Sequence, residues 1–232
     1  MFKTCEYILV GGNTIGQPAT LKFEKTMKNI FLNADNKVRS IWWIPTFFVL
    51  LAIFIFPTIL IAQKKSVDVS IAIQSILIIL VTIICQLLRK ESITQITGKF
   101  NFSWLRQLFI GLTIGTALMV FPAIILTVLG FAHWQINDIS FSTIISGLTV
   151  FVGVAIAEEF LFRGFLFQRL IESFGQWPAQ LIIAGLFLLT HINNPGMIGT
   201  TKIFASLNIF IASIMFGLAF IKTKSLAMPL GL

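Results

Sequence analysis

The sequence predicts an all-α fold, a polytopic transmembrane helix bundle, and three observations predict it. Apolar residues make up 56% of the chain and charged residues only 11%, whereas a soluble domain of ordinary composition carries about 25% charged residues. The apolar residues fall into long runs rather than a strand-like alternation. Finally, Lys and Arg gather on alternate sides of those runs.

The runs cover residues 41–62, 69–88, 108–132, 139–157, 178–190 and 203–221, giving six expected spans. Most reach the roughly 20 residues that cross a bilayer core. The fifth is short and crosses only with help from flanking residues or from protein at one end. Residues 225–232 read as the beginning of a seventh, truncated span. Of the 17 Lys and Arg residues, all but Lys64, Lys65 and Lys202 fall on the side of the N-terminus. The positive-inside rule therefore predicts a multi-pass protein of the cell membrane with a cytoplasmic N-terminus. The net charge of +8 is a topology signal with some attraction to anionic lipid. It requires no nucleic-acid partner.

Three regions follow: a cytoplasmic segment over 1–40, a first group of transmembrane helices over 41–132, and a C-terminal core over 139–232. In the first, residues 11–18 are loop-like and lack the Gly-Lys-Ser/Thr of a phosphate loop. Residues 21–31 mix basic and apolar side chains, as an amphipathic surface helix or a plain linker would. There is no signal-peptide core in the first forty residues. The connection 91–105 is expected at the interface, with Phe100, Phe102 and Trp104 at headgroup level. Cys5 and Cys85 fall in different environments, so neither a disulfide nor a cysteine metal site is expected.

The C-terminal core holds the chemistry. A charge-free run from Ile139 to Ala157 is interrupted by Glu158, Glu159 and Arg163, then turns apolar again. Ionisable groups at membrane depth are costly and point to function. The helix is expected to continue to about Ser173, with Gly175 breaking it and Pro178 opening the next. Glu158 lies 17 residues before Gly175 and His191 lies 16 after it. At 1.5 Å per residue both stand about 25 Å from the turn of an antiparallel hairpin. Glu159 and Arg163, four apart with the acid first, form a same-face ion pair. Glu158 points about 100° away and has Phe162 rather than a cation at i+4. It is the freer carboxylate, suited to taking a proton from water, with His191 orienting that water or stabilising charge.

Each of these residues also has a purely structural reading. Glu159–Arg163 is then a packing pair, Glu158 a satisfied core carboxylate, and His191 a packing histidine. His133 reads as interfacial, Phe187 as core or as a wall of the site, and Asn193 and Asn194 as turn residues. There is no His-Glu-x-x-His helix and no Gly-x-Ser-x-Gly. Glu158, Glu159 and His191 supply enough ligand atoms for a metal. The sequence leaves the cofactor unknown, because it does not separate a metal-held water from a glutamate-held one.

Glu158-Glu159-x-x-x-Arg163 followed by Phe187-x-x-x-His191 resembles the paired motifs of the CAAX-protease and bacteriocin-processing (CPBP, or Abi) family of intramembrane proteases. The resemblance covers about residues 140–232, and residues 1–100 carry none of it. It implies an all-helical core with a glutamate-dependent endopeptidase site reached from the cytoplasmic side. Glu158 and His191 would activate water, with Glu159 and Arg163 supporting and positioning them. The segment from Phe216 to Pro229 is similar to the one leading into the family's third motif, a His-x-x-x-Asn thought to stabilise the oxyanion. The sequence stops at Leu232, before that motif. The expectation is that the stretch as written lacks electrostatic help often worth several kcal/mol and is inactive, while the full gene product is active.

The resulting expectation is an intramembrane endopeptidase acting on a peptide or protein substrate in the lipid bilayer. One rival is a non-catalytic membrane peptide-binding or bacteriocin self-immunity protein using the same cavity. Another is a proton-coupled transporter, although no matched pair of broken helices appears. A prenylated C-a-a-X substrate follows by family analogy alone.

Overall fold

The computed structural model describes residues 28–135 and 138–232. The chain divides into two units, Met1–Arg39 and Ser40–Leu232. In the first, an isolated bridge joins Leu32 to Val38. Asn33 Oδ1 accepts from the backbone N–H groups of Asp35 and Lys37 at 3.0 and 2.9 Å. The expected loop at 11–18, the amphipathic segment as far as residue 27, and Cys5 lie outside the described residues.

Among its described residues the second unit is built from helices joined by turns and short irregular segments. Its elements are α1 (Ser40–Lys64), α2 (Ile71–Arg89), the short α3 (Thr94–Thr97), α4 (Phe102–Val128), α5 (Phe141–Glu158), a π-helical segment (Glu159–Phe165), α6 (Leu166–Phe174), α7 (Gln176–His191), α8 (Gly199–Thr223) and the short α9 (Ala227–Gly231). No strand occurs among the described residues. Local chemistry sets the helix ends. Ser70, Asn101 and Ser140 cap α2, α4 and α5 by accepting from the N–H groups of Ile73, Trp104 and Thr143, which satisfies donors that lack intrahelical partners. Lys90 and Lys224 close α2 and α8 in the left-handed conformation. Gly175, at φ +86°, separates α6 from α7 within a single residue.

Among the described residues, five helices are long and apolar enough to cross a membrane: Ser40–Lys64, Ile71–Arg89, Phe102–Val128, the continuous run Phe141–Phe174, and Gly199–Thr223. Six and the start of a seventh were expected. The fifth expected span is α7, whose 16 residues reach only about 24 Å. It is bounded by Gly175 and by the turn at Asn193-Asn194-Pro195-Gly196. The expected start of a seventh span is the single helical turn α9. The outer faces of the long helices carry exposed large side chains such as Phe121, Val128, Phe151 and Phe204, as a lipid-facing surface requires.

The connection 91–105 is α3 followed by the first turn of the next long helix, α4, which begins at Phe102. Trp104 Nε1 donates to the Thr97 carbonyl at 3.0 Å. Arg163 and Arg169, counted above among the charges on the side of the N-terminus, lie inside the long run and are 0% and 1% exposed. The positive end of the run is therefore internal. Arg169 pairs with Glu172 at 2.9 Å and Glu91 at 3.5 Å, and Arg89 pairs with Glu91 at 2.9 Å. Ser40 donates to Glu172. The network ties the start of α1, the end of α2 and α6 together.

The core surrounds the π-helical segment and α6. Phe47, Val81, Ile96, Phe162, Phe165 and Phe187 belong to it. Phe47 stacks on Phe165 with centroids 5.6 Å apart. α2 packs on α5, α6 on α7, and α7 on α8. Ser75 on α2 donates to the Gly153 carbonyl of α5 at 2.9 Å.

α4 packs against α9 through glycines. A methyl group at Gly111 would meet the Met228 carbonyl oxygen and lie 3.0 Å from Gly231 Cα, and one at Gly115 would meet the Leu232 carbonyl. These obstacles are backbone atoms and have little room to retreat. Gly111→Ala is therefore expected to lose about 1–3 kcal/mol of stability, read as a lowered melting temperature in detergent. Gly147→Ala faces open space and should leave the melting temperature unchanged or raise it. Equal effects from the two substitutions would contradict the packing described.

Candidate active site

Glu158 closes α5 and Glu159 opens the π-helical segment, so two adjacent carboxylates depart in different directions. Glu159 turns inward to Arg163, with Oε1 3.0 Å from Nη1, and these side chains are 5% and 0% exposed. Glu158 turns toward the end of α7, where Oε1 lies 3.3 Å from His191 Nε2. These side chains keep 30% and 21% exposure, enough for solvent or substrate to reach them. The hairpin thus brings Glu158 and His191 together at the level counted from Gly175. Within the π-helical segment Gly164 is non-helical, with ψ −121°. The straight α-helix expected through this stretch is absent. The break sits beside Ile96 of α3, whose Cγ2 would be 3.5 Å from a methyl at Gly164. Such π-helical insertions are frequent at functional sites.

His191 is held on two sides. Its Nδ1 lies 2.7 Å from the Phe187 carbonyl and 3.1 Å from Thr190 Oγ1. Its ring lies against the Phe187 ring, with centroids 4.4 Å apart. A carbonyl only accepts, so Nδ1 carries a proton and donates it. In the neutral ring, Nε2 then presents a lone pair to Glu158. Carboxylate oxygens also present lone pairs, so the 3.3 Å contact is attractive when one proton lies between the two groups. The dyad can carry that proton as a carboxylic acid facing imidazole or as a carboxylate facing imidazolium. Such an arrangement accepts a proton from water and returns it to a leaving group.

Arg163 is enclosed. Besides Glu159, its Nη2 donates to the Ser213 hydroxyl at 2.9 Å and the Ser213 carbonyl at 3.2 Å. Its Cζ lies 4.7 Å from the Phe187 ring, 4.9 Å from the Phe216 ring and 5.9 Å from the Phe162 ring. A desolvated guanidinium gains from aromatic faces on this scale. Gln180, also buried, donates to the Ile214 carbonyl at 2.7 Å and the Ser213 carbonyl at 3.3 Å. Sequence reasoning did not reach Ser213 or Gln180, and it named Phe216 only as the start of a family-like segment. The available signal was that polar residues inside apolar spans must find partners there. Phe187, read as core or wall, does more: its carbonyl and its ring both hold His191. His133 is exposed in the loop after α4. Asn194 donates its N–H to the His191 carbonyl at 3.0 Å, as a turn residue does.

The three-ligand set of Glu158, Glu159 and His191 does not converge, because Glu159 is taken by Arg163. Among the described residues no group of three His, Cys, Asp or Glu side chains is placed to hold a metal ion.

Residues 140–232 match the family model described as type II CAAX prenyl endopeptidase Rce1-like. This is the stretch over which the CPBP resemblance was read, and the match supports a CAAX-protease-like membrane endopeptidase at the level of the family. No curated protein and no solved structure matches the chain.

The buried pair generates a test. Arg163→Met leaves Glu159 desolvated and unpaired, a change expected to cost about 3–5 kcal/mol. Adding Glu159→Gln to Arg163→Met should recover part of that loss. Equilibrium unfolding in mixed micelles reads both, and a double variant no more stable than Arg163→Met alone would contradict the pairing.

Proposed function

We propose, on the premise that residues 140–232 form a CAAX-protease-like region of the Rce1-like type, that the protein is an intramembrane endopeptidase in which Glu158 and His191 activate water. The observation that carries this reading is the 3.3 Å approach of Glu158 Oε1 to His191 Nε2 on side chains that remain accessible in an otherwise apolar helical bundle. A water lying against the accessible side of the dyad gives a proton to the Glu158 carboxylate, and its oxygen adds to the carbonyl carbon of the scissile peptide. The resulting tetrahedral species expels the amine as the dyad returns the proton to nitrogen. His191, fixed through Nδ1, keeps Nε2 against Glu158 Oε1 and shares the transferred proton with that carboxylate. Glu159 and Arg163 keep the helix around Glu158 in one conformation.

The substrate is a peptide presented at or within the bilayer. The matched family description names prenylated C-a-a-X ends, and a lipid-anchored tail delivers a peptide bond to membrane depth. The cytoplasmic placement of the N-terminus is part of the same reading. It rests on the Lys and Arg residues that remain in loops after Arg163 and Arg169 are removed from the count. The first group of spans, over 41–132, serves as scaffold for the region over 139–232.

Cleavage of a fluorescence-quenched peptide ending in an S-farnesyl C-a-a-X sequence, and of its unprenylated counterpart, is to be followed with the full-length gene product in liposomes. Glu158→Gln and His191→Asn are each expected to lower turnover about 10²–10⁴-fold, with melting temperature and membrane insertion unchanged. Full activity in Glu158→Gln would remove the hydrolytic role. Retained peptide binding without any wild-type cleavage would favour the non-catalytic peptide-binding reading instead.

A further inference from the structure

Ser213 lies in the middle of α8, fully buried, outside both motifs that carry the glutamates and the histidine. It is nevertheless the point at which three helices are tied. Its hydroxyl and carbonyl oxygens both accept from Arg163 Nη2, at 2.9 and 3.2 Å. The same carbonyl accepts from Gln180 Nε2 of α7 at 3.3 Å. Gly217, one turn further along α8, makes room for that amide: a Cβ there would stand 2.5 Å from Gln180 Nε2 and 2.7 Å from its Cδ.

The planar guanidinium of Arg163 has a fixed fork of donors, and here two acceptor groups set its orientation. Nη1 goes to Glu159 and Nη2 to Ser213, while Nε has no hydrogen-bond partner among the described residues. Without the serine hydroxyl, Nη2 retains only a carbonyl that it shares with Gln180, and the plane is free to rock about its Glu159 contact. That plane faces the Phe187 ring at 4.7 Å. Phe187 in turn carries His191 by its ring, 4.4 Å away, and by its carbonyl, 2.7 Å from Nδ1. The path from Ser213 to Arg163, Phe187 and His191 is contiguous. A second branch runs from Arg163 to Glu159, the immediate neighbour of Glu158.

We propose that Ser213 is a positioning residue for the Glu158–His191 dyad: its hydroxyl fixes the Arg163 guanidinium against Glu159 and the Phe187 ring and so sets the approach of His191 Nε2 to Glu158. Gln180 and Gly217 keep the Ser213 carbonyl in place for this purpose. The role of the dyad itself rests on the hydrolytic reading given above, but the mechanical coupling does not. Misplacing a reacting group by about 1 Å costs on the order of 10²-fold in rate, and that sets the size of the effect.

The test uses the full chain in liposomes with the quenched farnesyl peptide. It also uses a signal that needs no turnover. The chain has 2 histidines, and His133 is exposed in a loop, so a His133→Asn background leaves His191 as the single imidazole. ¹⁵N-labelled His191 then reports its Nδ1–H hydrogen bond directly. Ser213→Ala is expected to lower kcat about 10- to 100-fold, with KM changed less than about twofold, and to shift or broaden the Nδ1–H signal. Ser213→Thr, which keeps the hydroxyl, should restore both. Gln180→Met, in which the amide donor is lost and the side-chain length kept, should move the signal in the same sense as Ser213→Ala. Two results would overturn the proposal. One is an unchanged Nδ1–H signal in Ser213→Ala with wild-type kcat. The other is an unchanged signal with activity lost only in proportion to a lowered melting temperature. Glu158→Gln at wild-type activity would instead remove the hydrolytic reading, and the imidazole signal alone would then decide the coupling.

Discussion

A guanidinium buried in an apolar bundle is the constraint around which the C-terminal half of the protein is arranged. Arg163 is completely covered, and a charge so placed is tolerable only when it is paired and its donors are occupied. No single helix can supply all of that. Glu159 comes from the same helical run, the Ser213 oxygens come from α8, and the aromatic faces come from Phe162, Phe187 and Phe216. Satisfying one side chain thus fixes the mutual placement of the π-helical segment, α7 and α8. The satisfaction is incomplete. Glu159 Oε2 and Arg163 Nε find no hydrogen-bond partner among the described residues, so the pair contributes specificity of arrangement more than stability.

The same constraint separates two chemically identical neighbours. Glu159 is sealed by burial, with Oε1 on Arg163 and Oε2 covered by the bundle, so neither oxygen is open to a substrate approaching from outside. Glu158, one residue earlier, ends the regular α-helix and stays partly accessible against His191. The wider π-helical turn that follows lets Glu159 and Arg163 turn inward without drawing Glu158 in with them. A distinction between a structural and an accessible carboxylate therefore arises from backbone geometry, with no difference in residue type.

What the sequence made legible was whatever depends on counting along a helix. The level of Glu158 and His191 followed from equal distances to Gly175, and the Glu159–Arg163 pair followed from their spacing of four. The long apolar runs marked most of the spans. What was not legible depends on contacts between elements. Ser213 and Gln180 are unremarked polar residues until α7 and α8 are laid side by side. Arg169 was counted only as a topology charge because its Glu91 partner comes from a distant connection. The shortness of α7 was visible, but its fate was not, since whether a 16-residue helix crosses depends on the protein around it. The π-helical segment left no periodic signature, because a single widened turn is too short to shift a hydrophobic pattern.

The crossing of α4 with α9 carries a consequence for biosynthesis. α4 packs chiefly against α9, through Gly111 and Gly115, whose partners lie more than a hundred residues later in the sequence. A ribosome delivers α4 to the membrane well before it has made residues 227–231. During translation this helix must wait in lipid, or beside the insertion machinery, with a glycine-lined notch unfilled, while α5 to α8 are threaded past it. The seat of α4 therefore forms only once residues 227–232 have been made, and a translation pause or premature stop ahead of Ala227 would leave α4 without it.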